Sequence, residues 1–392
     1  MQKQLNVLML PKWFPGYMDP AEGNYIYRHI KAIGESCKVV VLYVHSQDKK
    51  NGYEIIEETD GRIHVIRIYF NRSLTGIKAW NKLVNFFRFM KAQKKGYRLY
   101  REKHGTPDIV HVHSLTRTCL LAARIKKKET IPFIISEHWS GFLEERNIRF
   151  HPLKKYFILH FSGKADTITC VSQKLKEGME HFGFKNRIVI IPNVCDLSVF
   201  YPSHEDYPGR SKHFVHISRL DDHTKNFGGI LRAFAQAVQK DPGLHLHVFG
   251  DGEERQKQQE ASHRAGLEKN ITFYGYQPQE KIAEQLRRSA ALIVFSHYES
   301  QSCAIIESFA CGVPVIATNT GGIPELVNEE RGILIEKSDE NALCGVIIKI
   351  SSNEILFQKN KIADYSHTFG IGETSSAFTG LYRKALAKSL QR

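Results

Sequence analysis

The sequence predicts an α/β protein with two doubly wound, Rossmann-like domains that face each other across a cleft. Short apolar, β-rich runs alternate with helix-length segments, and this series starts again after about residue 200. Continuous apolar runs separated by helices are typical of parallel strands buried on both faces. The length of 392 residues also suits two domains of roughly 100–200 residues each.

The two series of runs define two domains, which we place at residues 1–198 and 199–371. The candidate strands of the first domain are 5–10, 39–44, 64–69, 109–113, 133–135, 167–171 and 189–191. Those of the second domain are 214–218, 245–249, 271–274, 291–295 and 313–317. Between the domains, residues 191–209 have the proline, glycine and polar content of a linker.

A final helix is predicted at about residues 372–392. Its apolar stripe at helical spacing consists of Phe378, Leu381, Tyr382, Ala385 and Leu386. Lys384 and Lys388 suit the C-terminal end of a helix. We expect this helix to pack back on the first domain.

The composition is that of a globular protein with a basic first half. Apolar residues make up 42% and charged residues 24% of the chain, which excludes a disordered chain, a collagen and a coiled coil. Of the formal charge of +14, the first 200 residues carry +15 and the remainder −1. This asymmetry indicates a polyanionic partner of the first domain, such as an anionic membrane, a phosphorylated substrate or a nucleic acid.

Two basic and aromatic segments favour the membrane among these partners. Residues 78–103 hold nine Lys or Arg against one acid, with Trp80, Leu83, Phe87 and Met90 at helical spacing. Residues 149–164 have a similar composition. Such a helix can lie on an anionic bilayer, or its aromatic side can pack on the sheet.

The sequence also predicts a cytoplasmic location, possibly peripheral on the inner face of the cell membrane. The first apolar run is too short for a secretion leader, and no run of ~18 apolar residues exists to span a bilayer. Seven scattered cysteines without a Cys-x-x-Cys pair indicate free thiols in a reducing compartment. No histidine or cysteine cluster has metal-ligand spacing.

The chemistry is concentrated after the strand at 291–295. A helix is predicted to start near Ser302 and to stop at Gly312, followed by a strand and a second helix that Pro324 opens. Free amides at the start of the first helix form an anion site. Glu299 and Glu307 would then lie within reach of the hydroxyls of a bound ligand, unless they are a cap and a solvated helix residue.

These motifs resemble those of the retaining glycosyltransferases of the GT-B fold, glycosyltransferase family 4. The long family signature is matched by residues 298–318 (YE-x7-ESFACGVPVIAT) and 321–325 (GGIPE). Further similar segments are 108–114 (DIVHVHS), 136–138 (SEH), 191–193 (IPN), 216–220 (HISRL), 225–227 (KNF) and 249–252 (FGDG). The resemblance covers about residues 5–330.

The resemblance implies a role for each matching residue. Glu307 would bind the ribose of a nucleotide-sugar, and Glu299 would face the sugar hydroxyls. The amides near Ser302, Cys303 and Ala304 would help Glu299 to bind the donor sugar. Arg219 and Lys225 would hold the diphosphate, His138 would reach the donor sugar across the cleft, and Gly23 would lie near the donor phosphate. Candidate edges of the base pocket are Gly250, Tyr274, Gly275 and Tyr276.

The activity so implied is retaining transfer of a sugar from a nucleoside-diphosphate-sugar to a hydroxyl acceptor. A UDP-sugar is favoured and a GDP-sugar is the alternative; the acceptor is expected to be lipid-linked or a surface-polysaccharide precursor. Two cations and a helix N-terminus can stabilise the leaving diphosphate, so no metal and no cofactor are expected. Alternatives are a GT-B nucleotide-sugar epimerase, which needs no acceptor, and a nucleic-acid-binding protein, for which no recognisable module is present.

Overall fold

The computed structural model describes residues 4–16, 19–48, 52–203, 205, 207 and 209–390. Within this part of the chain, the strands are β1 (Asn6–Pro11), β2 (Lys38–Gln47), β3 (Tyr53–Asp60), β4 (Ile63–Asn71), β5 (Ile109–His113), β6 (Phe133–Glu137), β7 (Thr167–Cys170), β8 (Ile188–Ile190), β9 (His213–Ile217), β10 (His245–Phe249), β11 (Ile271–Gly275), β12 (Ala291–Val294), β13 (Val315–Thr318) and β14 (Gly332–Ile335). The α-helices are α1 (Asn24–Gly34), α2 (Lys78–His104), α3 (Thr118–Glu129), α4 (Pro152–Ser162), α5 (Gln173–Phe182), α6 (Asp222–Lys225), α7 (Phe227–Lys240), α8 (Arg255–Arg264), α9 (Gln279–Arg287), α10 (Cys303–Ala310), α11 (Glu340–Ser351), α12 (Lys359–Ser366) and α13 (Ile371–Leu390). Short 3-10 turns lie at Ser140–Phe142, Glu144–Arg146, Arg210–Lys212 and His367–Phe369.

The strands form two separate sheets, as the alternation of apolar runs predicts. The first sheet has the order β3-β4-β2-β1-β5-β6-β7-β8 and the second has the order β11-β10-β9-β12-β13-β14. Apart from the antiparallel pair β3–β4, the recorded strand pairs are parallel. The strand order reverses at β1 and at β9, and such switch points are where doubly wound sheets bind ligands.

Helices cover both faces of the sheets because each presents one apolar stripe. On α1, Ile26, Ile30 and Ile33 are fully buried, and on α7 the residues Ile230 and Phe234 are. The spacing of three or four residues places each set on one side of its helix. The two sheets are thereby fixed as rigid layers, and their loops are left to carry polar groups.

Helix α13 returns from the second domain to pack against α1 of the first. Phe378 and Tyr382 of its apolar stripe are fully buried. The Tyr382 hydroxyl lies 2.7 Å from Nδ1 of His111, at the centre of the first sheet. The last helix thus anchors one domain to the other.

Two strands and one turn differ from the sequence prediction. Strand β3 was not predicted because its outer half is exposed and carries Glu57, Glu58 and Asp60 in place of an apolar run. The short edge strand β14 was also missed. The helix predicted to open at Pro324 is wrong: residues 320–327 form successive turns, in which the amide of Ile323 donates to the carbonyl of Thr320. Of the predicted linker, residues 204, 206 and 208 lie outside the described residues.

Candidate active site

The carboxyl ends of both sheets border one cavity of about 530 Å³. The sequence-predicted residues that line it are His138, Arg219, Lys225, Gly250, Glu299, Ser302, Cys303, Ala304 and Glu307. They come from both domains and from separate strand ends. The fold therefore brings most of the predicted site together.

Three predicted residues are not among the described residues that line the cavity. Gly23 lies just behind it; its φ is +66°, and a Cβ there would lie 2.5 Å from the carbonyl of Trp13. Tyr274 points elsewhere, since its ring stacks on Phe249 at 4.6 Å. Gly275 ends β11 beside it, and Tyr276 lines the cavity instead.

Helix α10 directs its N-terminus at the cavity. Ser302 is its N-cap residue, but its side chain makes no capping hydrogen bond to any described residue. The first amides of the helix are therefore open to an anion from the cavity. Burial raises the pKa of Cys303 to about 12, so this side chain is a neutral thiol at the same end.

Lys225 and Glu299 meet across the cavity floor. Lys225 ends α6 after β9, Glu299 follows β12, and their charged groups form an ion pair. The parallel strands β9 and β12 are neighbours, which is why loops distant in sequence come together. A pair of opposite charges can hold a phosphate on one side and hydroxyls on the other.

Arg219 stands at the mouth of the cavity, with its side chain 65% exposed, and pairs with Asp19 of the first domain at 3.3 Å. The turn that carries it packs against Gly250, whose φ is +117° and where a Cβ would lie 1.7 Å from the carbonyl oxygen of Ser218. A glycine is needed for this approach. The turn after β10 thereby supports the turn after β9.

Glu307 pairs with an arginine that sequence reasoning missed. Arg28 on α1 forms an ion pair with Glu307, and both side chains are largely buried. With its amide turned, Gln279 also accepts from Arg28 at 2.7 and 2.9 Å. Burial works to lower the pKa of Arg28, but the Glu307 carboxylate outweighs it and holds that pKa above its usual value. No spacing in the sequence signals this contact, because it joins the two domains.

His138 lies at the centre of a buried histidine cluster. Its ring is 5.2 Å from that of His29 and 5.8 Å from that of His113, centre to centre. Burial lowers the pKa of each of these three histidines, that of His29 to about 4. The rings are therefore neutral at pH 7. Their sequence spacing gave no indication of a cluster, because they come from three different elements.

Further polar contacts join the two domains around the cavity. The Ser300 hydroxyl donates to the carbonyl of His138 at 2.7 Å. The Asn193 amide donates to the side-chain oxygen of Gln301 at 2.6 Å. The carboxylate of Glu325 accepts from two amides at the N-terminus of α5, each at 2.7 Å. The cavity is thus enclosed by a polar interface rather than by apolar packing alone.

Two α/β domains that face each other across a cavity lined by charged side chains and a helix N-terminus are the architecture of the GT-B fold. The model of Glycosyltransferase Family 4 matches residues 23–199, and that of Glycosyl transferases group 1 matches residues 201–367. The chain belongs to this glycosyltransferase family, as its motifs predicted.

Known relatives are similar over about two thirds of their length. An uncharacterized glycosyltransferase of Methanocaldococcus jannaschii is 28% identical over 64% of this chain and 67% of its own. The N-acetyl-alpha-D-glucosaminyl L-malate synthase of Bacillus anthracis is 26% identical over 64% of this chain and 66% of its own length. Both names are those of glycosyltransferring enzymes.

Solved structures share the fold over nearly the whole chain. A sucrose-phosphate synthase from Thermosynechococcus elongatus has a TM-score of 0.74 at 19% identity and covers 98% of this chain and 100% of its own. Anabaena HepE in complex with UDP has a TM-score of 0.70 at 16% identity, and the match covers 97% of this chain and 100% of the HepE chain. The predicted GT-B fold is confirmed.

Replacing Arg28 with alanine is expected to destabilise the protein by roughly 3 kcal/mol or more, because it leaves the Glu307 carboxylate buried and unpaired. Thermal unfolding of the purified variant measures this. The matched control is Arg232→Ala, which removes an exposed pair with Glu340 and is expected to cost ~1 kcal/mol at most. Equal melting temperatures for the two variants would contradict the assigned role of the buried pair.

Proposed function

We propose that the chain is a retaining transferase that moves a sugar from a UDP-sugar to a hydroxyl of a lipid-linked or surface-polysaccharide acceptor. The observation that carries this proposal is the single cavity into which Arg219, Lys225, Glu299 and Glu307 converge with the N-terminus of α10. Cations and amides on one side suit a diphosphate. Carboxylates beside them suit the hydroxyls of ribose and sugar.

The leaving group explains the need for positive charge. As the glycosidic bond breaks, negative charge builds on the diphosphate, and preorganised donors stabilise it most where water is excluded. Arg219 can bind an anion with two parallel hydrogen bonds, whereas Lys225 acts as a point charge. Together with the amides of α10, they supply this stabilisation without a metal ion on the diphosphate.

The configuration at the anomeric carbon is retained if the diphosphate leaves and the acceptor hydroxyl attacks on the same face of the sugar. The leaving phosphate then accepts the proton of the acceptor hydroxyl, and no enzyme nucleophile is required. The side chains near the donor agree with this, since Glu299 is held by Lys225 and Cys303 is a neutral thiol. His138 would contact the donor sugar from the first domain.

Uridine is the proposed base, and a thermal-shift panel of UDP, GDP, ADP and their sugar conjugates tests it. We expect selective stabilisation by UDP compounds, by ~2.7 kcal/mol at 100 times the dissociation constant, with the same nucleotide-induced shift in EDTA. Glu307→Ala should lose most of this shift because the ribose loses its acceptor. No shift with any nucleotide at millimolar concentration would overturn the donor-site proposal, and a shift with GDP alone would overturn uridine.

Lys225→Ala is expected to lower turnover of the preferred UDP-sugar by more than ~10²-fold, since it removes charge stabilisation of the leaving group. Release of UDP from the donor measures this. Lys257→Ala, which changes an exposed lysine on α8, is the control and should leave turnover unchanged. Unaltered kinetics of purified Lys225→Ala would remove Lys225 from the diphosphate site.

A lipid-linked acceptor is supported by an exposed apolar and basic surface on the first domain. On α2, Trp80 is 54% and Phe87 is 62% exposed, and on α4 Tyr156 is 68% exposed. Exposed lysines flank them, including Lys82 and Lys155. The helices of the described residues include no candidate for a membrane span.

Flotation with vesicles tests this surface. We expect binding to vesicles that contain phosphatidylglycerol and weaker binding to pure phosphatidylcholine, because each cation near an anionic surface contributes ~1 kcal/mol. Trp80→Ser with Phe87→Ser should reduce binding at least roughly tenfold by removing buried apolar area. Leu356→Ser, at a 77% exposed residue of the second domain, is the control. Equal flotation of both variants would refute membrane contact through α2.

A further inference from the structure

Three buried histidines from separate elements of the first domain meet beneath the cavity. His29 lies on α1, His113 ends β5 and His138 directly follows β6. Each offers a ring nitrogen, and these three nitrogens lie within 4.8 Å of one another. His29 and His113 are almost completely buried, and His138, which also lines the cavity, is 8% exposed.

The nitrogens of this cluster are largely unsatisfied. Neither ring nitrogen of His113 has a hydrogen-bond partner within the described chain, and Nδ1 of His29 also lacks one. Neither ring nitrogen of His138 has a partner that meets full hydrogen-bond geometry, but the Asn193 side chain hydrogen-bonds to this ring and works to raise its pKa. Buried polar groups without partners are rare in folded proteins, and each calls for an explanation such as a bound ion, an ordered water, local strain or a catalytic role.

A neighbouring histidine shows the contrast. The ring of His111 stacks 4.1 Å from that of His113 and is as deeply buried. Its Nδ1 lies 2.7 Å from the Tyr382 hydroxyl, and its Nε2 lies 2.7 Å from the Ser136 hydroxyl. Both ring nitrogens of His111 are therefore bonded, while each of the three cluster members has at least one nitrogen without a well-placed partner.

His29 is oriented in the manner of a metal ligand. Its Nε2 lies 3.0 Å from the carbonyl oxygen of Pro192, to which it can only donate. This fixes the tautomer whose Nδ1 carries a lone pair toward the cluster. Histidines that bind metals usually donate their second ring N–H to a carbonyl or carboxylate in this way.

The ring positions fit a common centre. With zinc–nitrogen bonds of about 2.0–2.1 Å, tetrahedral geometry places imidazole centres roughly 5.2 Å apart and donor nitrogens about 3.3 Å apart. The observed ring-centre distances are 5.2, 5.8 and 6.4 Å. The rings need to approach one another slightly, with the largest change at the His29–His113 pair.

We propose that His29, His113 and His138 bind one divalent transition-metal ion of the zinc type. Three neutral imidazoles and one open position are a common ligand set for zinc. The Glu137 carboxylate accepts from the backbone amides of His138 at 2.8 Å and Trp139 at 2.9 Å, which fixes the backbone that carries the His138 ring. The ion would hold the His138 ring, whose two nitrogens are both buried, in one orientation in the cavity wall. It is separate from the diphosphate, for which no metal is proposed.

Metal content tests the proposal on the full chain, prepared without a polyhistidine tag. After removal of metals with a chelator, the protein is incubated with Zn²⁺ or Co²⁺, desalted and analysed by mass spectrometry. We expect about one ion per chain, and for Co²⁺ the visible bands of a four-coordinate site with nitrogen ligands. Zn²⁺ should also raise the melting temperature. Less than a tenth of an equivalent, or a thiolate charge-transfer band, would overturn the proposal.

His113→Asn is the decisive variant, because His113 has no other assigned role. It should lose the ion, whereas His216→Asn should keep it. His216 is an equally buried histidine of the second sheet, with both ring nitrogens near polar partners. Equal metal content in the two variants would overturn the site. If His113→Asn does not fold, the Co²⁺ spectrum of the unaltered protein decides alone. UDP-induced stabilisation, measured on the metal-free protein, reports the donor site independently.

Discussion

Two largely parallel sheets direct the carboxyl ends of their strands at one cleft, and the position of the site depends on that constraint. Lys225 and Glu299 lie far apart in sequence, yet they meet because the strands that precede them, β9 and β12, are hydrogen-bonded neighbours. His138 arrives from the opposite domain in the same way, at the end of β6. Since the strands are buried on both faces, these strand ends have little freedom to move. The side chains of the loops can therefore differ while the strand ends that carry them stay in the same positions.

The interface between the domains buries an ion pair, whose mutual attraction offsets the cost of removing both charges from water. Arg28 and Glu307 are costly to bury singly, but together they compensate each other, and with its amide turned Gln279 accepts from Nη2 and Nε of Arg28. Ribose hydroxyls offered to Glu307 would have to share it with Arg28 or displace it. Nucleotide entry would therefore be coupled to how the domains sit against each other, as a cleft that closes over its donor requires.

Local patterns predicted the fold class and the helix start beside Glu299 and Glu307, because apolar runs and helix caps are short-range signals. The other candidate site residues were named through the family resemblance. Glu299 and Glu307 could be placed on either side of a helix start from their spacing alone. Strand β3 could not be found this way, since edge strands with solvated faces carry no apolar run. Tyr274 was misplaced because one residue of strand register decides which face a side chain takes. Arg28 was missed because a contact between two domains produces no periodic pattern in the sequence.

The histidine cluster is the feature that sequence spacing indicated least, because the fold brings its three members together from separate elements. Burying an imidazole without a partner costs free energy that an apolar side chain of similar size would avoid. His111 meets that cost with two hydrogen bonds, whereas His113 beside it makes none in the described chain. Three buried imidazoles on three elements, each with at least one ring nitrogen that lacks a well-placed partner in the described chain, are therefore poorly explained as core packing. A ligand shared among them removes the cost for all three at once, and it would stiffen the wall of the cavity through His138.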